Sequence, residues 1–196
     1  MTASDQTALP HERLLETAYR LFTRFGLHAI GVDRIVAYAG VAKMTLYRHF
    51  RSKDELALAV LDRREELWTE RWLVAAIEER AGTAEERLLA IFDVFAEWFN
   101  RDDFEGCLFI NSLVESHDPT SAVGEASAQK RETVRRYVEE LARGVRVANA
   151  EDFSRKWHLL MEGAIVSAMS GDRASAQRAK DVAALLLASE RPGESR

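Results

Sequence analysis

Between Lys43 and Lys53 the chain gathers Lys43, Met44, Thr45, Tyr47, Arg48, His49 and Lys53. At about 100° per residue, a helix here turns Ala42, Leu46 and Phe50 to one side. Met44 and Arg48 then point directly away, flanked by Lys43, Thr45, Tyr47 and His49. The outward side offers hydroxyls, a phenol, an imidazole and cations, and no carboxylate, which is the chemistry of a surface that approaches phosphates. Next comes Ser52-Lys53-Asp54-Glu55, a capping box in which the Ser52 hydroxyl and the Glu55 carboxylate close the first turn of a further helix. Lys53 therefore adds a full charge beside free amides and a dipole end that already favour an anion.

Two other groups of side chains could do chemistry. Trp68, Trp72, Phe95, Trp98, Phe99, Phe109, Tyr137, Trp157 and Met161 could line a pocket for an apolar or aromatic molecule, with His117 and His158 orienting it. Taken singly, each aromatic reads first as ordinary core and each histidine as a solvated or satisfied one; it is the number of large aromatics together that suggests a cavity. Cys107 with His117 or His158 would make a nucleophile and base, yet no nucleophile motif surrounds Cys107, and Leu108, Phe109 and Ile110 beside it read as core. Glu97, Glu105, Glu115 and His117 lack the Glu-x-x-His spacing of a di-iron bundle. With no Gly-rich phosphate loop or metal-ligand spacing, neither an enzyme nor a cofactor nor a metal is expected.

The elements that must hold the first group are short. Ile35, Val36 and Ala39 precede Gly40, and Val41, Leu46 and Phe50 follow it, which suits two helices crossing steeply over a small core. That is a helix-turn-helix. The run AGVAKMTLYRHFRSKDEL resembles the DNA-binding signature of the tetracycline-repressor (TetR/AcrR) family of transcriptional regulators, over roughly residues 11–60, departing from its usual residues at Gly31 and Val36. The resemblance implies that Thr45, Tyr47, His49 and Lys53 touch phosphates and that Lys43, Met44 and Arg48 lie nearest the bases. GCLFINSLVE, residues 106–115, is similar to a string of the same family's C-terminal domains.

Only three prolines and ten glycines, with no period-two window, predict an all-α chain. We expect about nine helices: a three-helix DNA-binding head over 1–52, ordered from about 11, and an effector-binding and dimerisation body over 53–196, joined by a long helix. The net charge is −5, but residues 11–55 hold eight Lys or Arg against five Asp or Glu, +3, while residues 56–196 carry −7. The attraction for a polyanion is thus concentrated on the head.

Helical spacing predicts a first helix from His11 to Phe25 stopped by Gly26, and a long one from Lys53 to about Glu79 with Leu56, Val60, Leu67 and Ala75 apolar. Thr83 to Glu86 is a second capping box, opening a helix to Arg101. A short helix fills Gly106 to Glu115; Asp118-Pro119 starts the next, to about Arg143. Asn149 with Asp152 opens another to Ser170, and Arg173 to Ser189 is the last. Residues 1–10 read as a flexible arm and RPGESR as a frayed tail. Met161–Gly171 is rich in small residues and Val182–Leu187 is aliphatic, so both suit either the chain's own core or a four-helix bundle across a two-fold axis. The resemblance favours a homodimer through the last two helices.

One cysteine and no signal or membrane-spanning run fit a cytoplasmic protein. The reading is a ligand-responsive regulator, a repressor that leaves a palindromic operator in double-stranded DNA when a small apolar or aromatic molecule binds. The alternative is a helical small-molecule sensor without specific operator recognition.

Overall fold

The computed structural model describes residues 9–190, among which there are nine helices and no strand. They are α1 (Pro10–Phe25), α2 (Val32–Ala39), α3 (Lys43–His49), α4 (residues 53–80), α5 (Ala84–Phe99), α6 (Leu108–Ser116), α7 (Ala122–Val145), α8 (Ala150–Met169) and α9 (Ser175–Glu190). The all-α expectation holds. Of the expected N-terminal arm only Leu9 and Pro10 are described, Pro10 opening α1, and the RPGESR tail lies outside the described residues. None of the described helices is long and apolar enough to cross a membrane. The chain forms two compact units: one joins the residues up to Leu67 to Leu108–Lys130, the other joins Trp68–Cys107 to the residues from Arg131 onward.

In the first unit, α1 buries Leu14, Leu15, Ala18, Leu21 and Phe22, and packs on α2, α3 and α4. Helix α2 stops at Gly40, whose φ of 62° and ψ of 40° lie in the left-handed region that glycine enters without cost. The Arg13 guanidinium reaches across from α1 and donates to the Ala39 carbonyl at 2.5 Å and the Gly40 carbonyl at 3.2 Å, satisfying acceptors that the end of α2 would leave open. Helix α3 docks through Leu46, 0% exposed, and through Phe50 just past its end. Ala42 is exposed and does not dock, because it is the extended residue before α3 (φ −72°, ψ 148°) and not part of the helix.

Helix α4 starts where Ser52 Oγ accepts from the Glu55 amide at 3.0 Å, while the Glu55 carboxylate takes the Arg51 amide at 2.6 Å, one residue earlier than a closed capping box would have it. Its residues 53–64 are α-helical, Glu65–Val74 form a π-helix, and Ala75–Arg80 are α-helical again. The π stretch takes more residues per turn, so the buried line runs Leu56, Val60, Arg64, Trp68, Leu73 and Ile77. Leu67, which a regular helix would place with Leu56 and Val60, is instead exposed. Pro119 does not open α7 either. Asp118 Oδ1 closes a turn on the Thr120 amide (2.8 Å) and hydroxyl (2.7 Å), and Ser121 Oγ accepts from the Gly124 amide at 3.1 Å, so α7 begins at Ala122.

The second unit packs α5 against α8 and α9. The box that opens α5 is complete: Thr83 Oγ1 accepts from the Glu86 amide at 3.2 Å, and Glu86 Oε2 from the Thr83 amide at 3.0 Å. Asn149 Oδ1 caps α8 by accepting from the Asp152 amide at 3.0 Å. Phe92, Phe95, Phe99, Phe153 and Trp157 are all at most 1% exposed. Lys180 on α9 grips both Asp93 oxygens of α5, at 2.6 and 2.7 Å.

Candidate nucleic-acid interface

With Leu46 and Phe50 anchored, the remainder of α3 faces solvent. Met44 is 68% and Tyr47 43% exposed, Lys43, Arg48 and His49 are exposed, and Thr45 is half-buried. A thioether left this bare has no packing role in the free chain, in contrast to Leu46 two residues on. His49 is held from behind: the His11 ring stacks on Phe50 at 4.9 Å between centroids and meets His49 edge-on at 5.6 Å. Lys53 is half-buried at the first turn of α4; burial pushes its ammonium pKa down, with Asp54 and Glu115 pulling the other way. The structure thus brings together all seven residues singled out around α3.

Three neighbours escaped the sequence reading. Asp33 on α2 pairs with Lys43 at 2.8 Å, and that bond raises the Lys43 pKa. The pair is exposed and therefore weak, so it orients Lys43 without locking it. Arg34 sits over the Phe25 ring (4.7 Å) and near the Tyr38 ring (5.7 Å), which braces its guanidinium at the surface of α2. The four-residue step from Arg34 to Tyr38 was the available sign. Arg13, by holding the C-terminal end of α2, fixes the turn from which α3 departs.

The aromatic set of the body is brought together in part. Rings run from Phe153 to Trp157 (5.2 Å) to Phe92 (5.6 Å) to Phe95 (6.3 Å), then to Trp98 (5.7 Å), Trp68 (4.8 Å) and Trp72 (5.5 Å). Met161 is buried on α8. Phe109 is buried on α6, in the first unit, and His117 lies there too, 5.9 Å from the His28 ring. His158 is largely withdrawn from solvent, which pushes its pKa down, and its Nε2 lies 3.7 Å from Glu162. Tyr137 OH and Trp157 Nε1 are buried without a hydrogen-bond partner. Cys107 is buried, and among the described residues no cluster of His, Cys, Asp and Glu is suited to a metal.

A helix-turn-helix in an all-helical chain is the architecture of a DNA-binding regulator of transcription. Residues 14–60 match the family model for bacterial regulatory proteins of the tetR family, and residues 84–183 match the tetracyclin repressor-like C-terminal domain. A TetR-family transcriptional regulator from Streptomyces coelicolor is 30% identical, superposing 93% of this chain on 96% of that one with a TM-score of 0.84. A second solved regulator, from Streptomyces avermitilis, is 27% identical over 93% of this chain and 98% of its own, with a TM-score of 0.85. The transcriptional activator FasR of Mycolicibacterium smegmatis is 38% identical over 93 residues, which cover 46% of this chain but only 40% of FasR. The chain belongs to the tetR family of transcriptional regulators.

Proposed function

We propose that the protein is a homodimeric repressor that binds a roughly palindromic operator through α3 of each subunit and leaves it when a small apolar or aromatic molecule enters the second unit. The observation that carries this reading is the bareness of α3, where Met44 and Tyr47 stand in water among cations on a helix anchored by only two buried side chains. In this reading Thr45, Tyr47, His49 and Lys53 grip phosphates, joined by Arg34. Lys43, Met44 and Arg48 face the bases, where the Met44 methyl suits the methyl group of a thymine.

Dimerisation is supported by a row of apolar side chains left in water. Leu159, Val166 and Met169 share one side of α8, and Val182 and Leu185 share one side of α9; Leu159 is 69% and Leu185 72% exposed. Two such pairs facing across a two-fold axis bury these residues as a four-helix bundle. Two α3 helices then have to meet successive major grooves about 34 Å apart. An effector that binds better to the conformation in which that spacing is lost releases the DNA, and one indifferent to it does not. Support for an effector comes from the aromatic row and from the partnerless Tyr137 and Trp157 donors, which an acceptor-bearing guest would satisfy.

The test is fluorescence anisotropy with duplexes taken from beside the protein's own gene, against random duplex as competitor. Retention of one duplex under excess random competitor supports the reading, whereas equal loss of every duplex points to a sensor without specific operator recognition. Leu185→Glu is expected to yield monomers by light scattering and to abolish the specific complex.

A further inference from the structure

Residues 11–55 carry five carboxylates, and four of them are engaged away from α3. Arg63 of α4 pairs with Glu12 and lies 3.6 Å from Glu16, Glu55 accepts the Arg51 amide, and Asp54 sits in the first turn of α4. Among the described residues, Asp33 alone is paired with a side chain of α3: its Oδ1 lies 2.8 Å from Lys43 Nζ. A carboxylate beside α3 repels the phosphates of any duplex, whatever its sequence. The dipole at the first turn of α2 favours an acid at Asp33, but it does not account for the contact across to another helix.

The pair is open to a large partner. Asp33 is 82% and Lys43 53% exposed, and a Cβ added to Gly31, just before α2, would meet nothing within 4 Å. It presents a donor and an acceptor side by side at hydrogen-bond distance. In the major groove a G·C pair presents the inverse at the same spacing: guanine O6 accepts, cytosine N4 donates, and the two are bonded to each other at about 2.9 Å. Laid edge to edge, the Lys43 ammonium donates to O6 and to the neighbouring N7, while Asp33 accepts from cytosine N4. An A·T pair also sets a donor, adenine N6, beside an acceptor, thymine O4. Beyond O4, however, thymine carries an apolar methyl where guanine offers the second acceptor, so the lysine gains one bond fewer.

We propose that Asp33 is a specificity-determining residue and that Asp33 and Lys43 together read one G·C pair in each half of the operator, Lys43 on guanine and Asp33 on cytosine. This rests on the operator reading and names one base pair within it. The experiment selects duplexes from a randomised library with the full chain, its Asp33→Ala variant and its Lys43→Ala variant, and sequences what is bound. The parent is expected to enrich a two-fold motif containing one G·C pair per half that both variants lose. Discrimination at that pair should fall at least about fivefold while the other positions keep theirs. Asp33→Ala should also bind random duplex more tightly than the parent, because a repelling charge is gone. Both side chains are exposed, so the thermal midpoints of the variants should stay near the parent's. The parent's motif recovered unchanged with Asp33→Ala, or a Lys43-dependent position that is not G·C, overturns the proposal and leaves the operator reading standing. A parent that enriches no motif removes the operator reading and this proposal with it.

Discussion

Helix α3 and the aromatic row of the second unit put large side chains to opposite uses. On α3, Met44 and Tyr47 stand apart in solvent while Leu46 and Phe50 alone hold the helix down. In the second unit Phe92, Phe95 and Trp157 are fully enclosed, each ring resting on the next at about 5–6 Å. Side chains that stand alone can be exchanged one at a time, altering the outward face of the helix and little else. Rings that support one another transmit any loss into the stability of the whole unit.

The sharpest way to break that contrast is Trp157→Ala. It removes the ring between Phe153 and Phe92 and should cost about 3–5 kcal/mol in urea unfolding. A variant that unfolds like the parent but loses effector response would make Trp157 a pocket wall and not core. A smaller loss is expected for Gly40→Ala, about 1–2 kcal/mol from the left-handed backbone alone, with further disturbance because the new Cβ would lie 2.8 Å from the Arg13 guanidinium. Its thermal midpoint should fall and its DNA affinity with it; unchanged affinity would mean that the turn angle does not govern α3.

The smallest effect concerns pH. Burial holds the His158 pKa below its ordinary 6.5, so the folded chain resists a proton that the unfolded chain accepts. Stability is therefore intact above about pH 6.5 and declines as pH drops from there towards the depressed folded value. The carboxylates lowered by their partners, among them Glu12, Glu86 and Glu139, begin to matter only below the ordinary carboxylate range. The thermal midpoint of the parent should fall between pH 7.5 and 5.5 and that of His158→Gln should fall less; parallel curves would refute a buried neutral histidine.

What was legible in the sequence follows the range of the forces involved. Caps involve residues three apart, and Ser52, Thr83 and Asn149 start helices where their spacing predicts. The turn at Gly40 and the burial of Leu46 are equally local. The π stretch of α4 was not legible, because it depends on which residues can be buried around Trp68 and Leu73, and it is what leaves the apolar Leu67 in solvent. Asp118-Pro119 resembled a helix start, but a competing turn onto Thr120 moved the cap to Ser121. The Asp33–Lys43 pair and the gathering of Leu108–Lys130 into the first unit join residues far apart in the sequence or on different helices, and no period reports them.

The central claim, that the bare residues of α3 divide into phosphate and base contacts, is tested most directly by anisotropy titrations of the parent, Tyr47→Ala and Met44→Ala on the specific and a random duplex across a salt series. The account predicts that Tyr47→Ala weakens both duplexes alike and flattens the salt dependence by about one contact per subunit. Met44→Ala should keep the parent's salt slope and its random-duplex affinity while narrowing the gap between the two duplexes. Equal weakening of both duplexes by Met44→Ala, or no effect of either substitution, would contradict it.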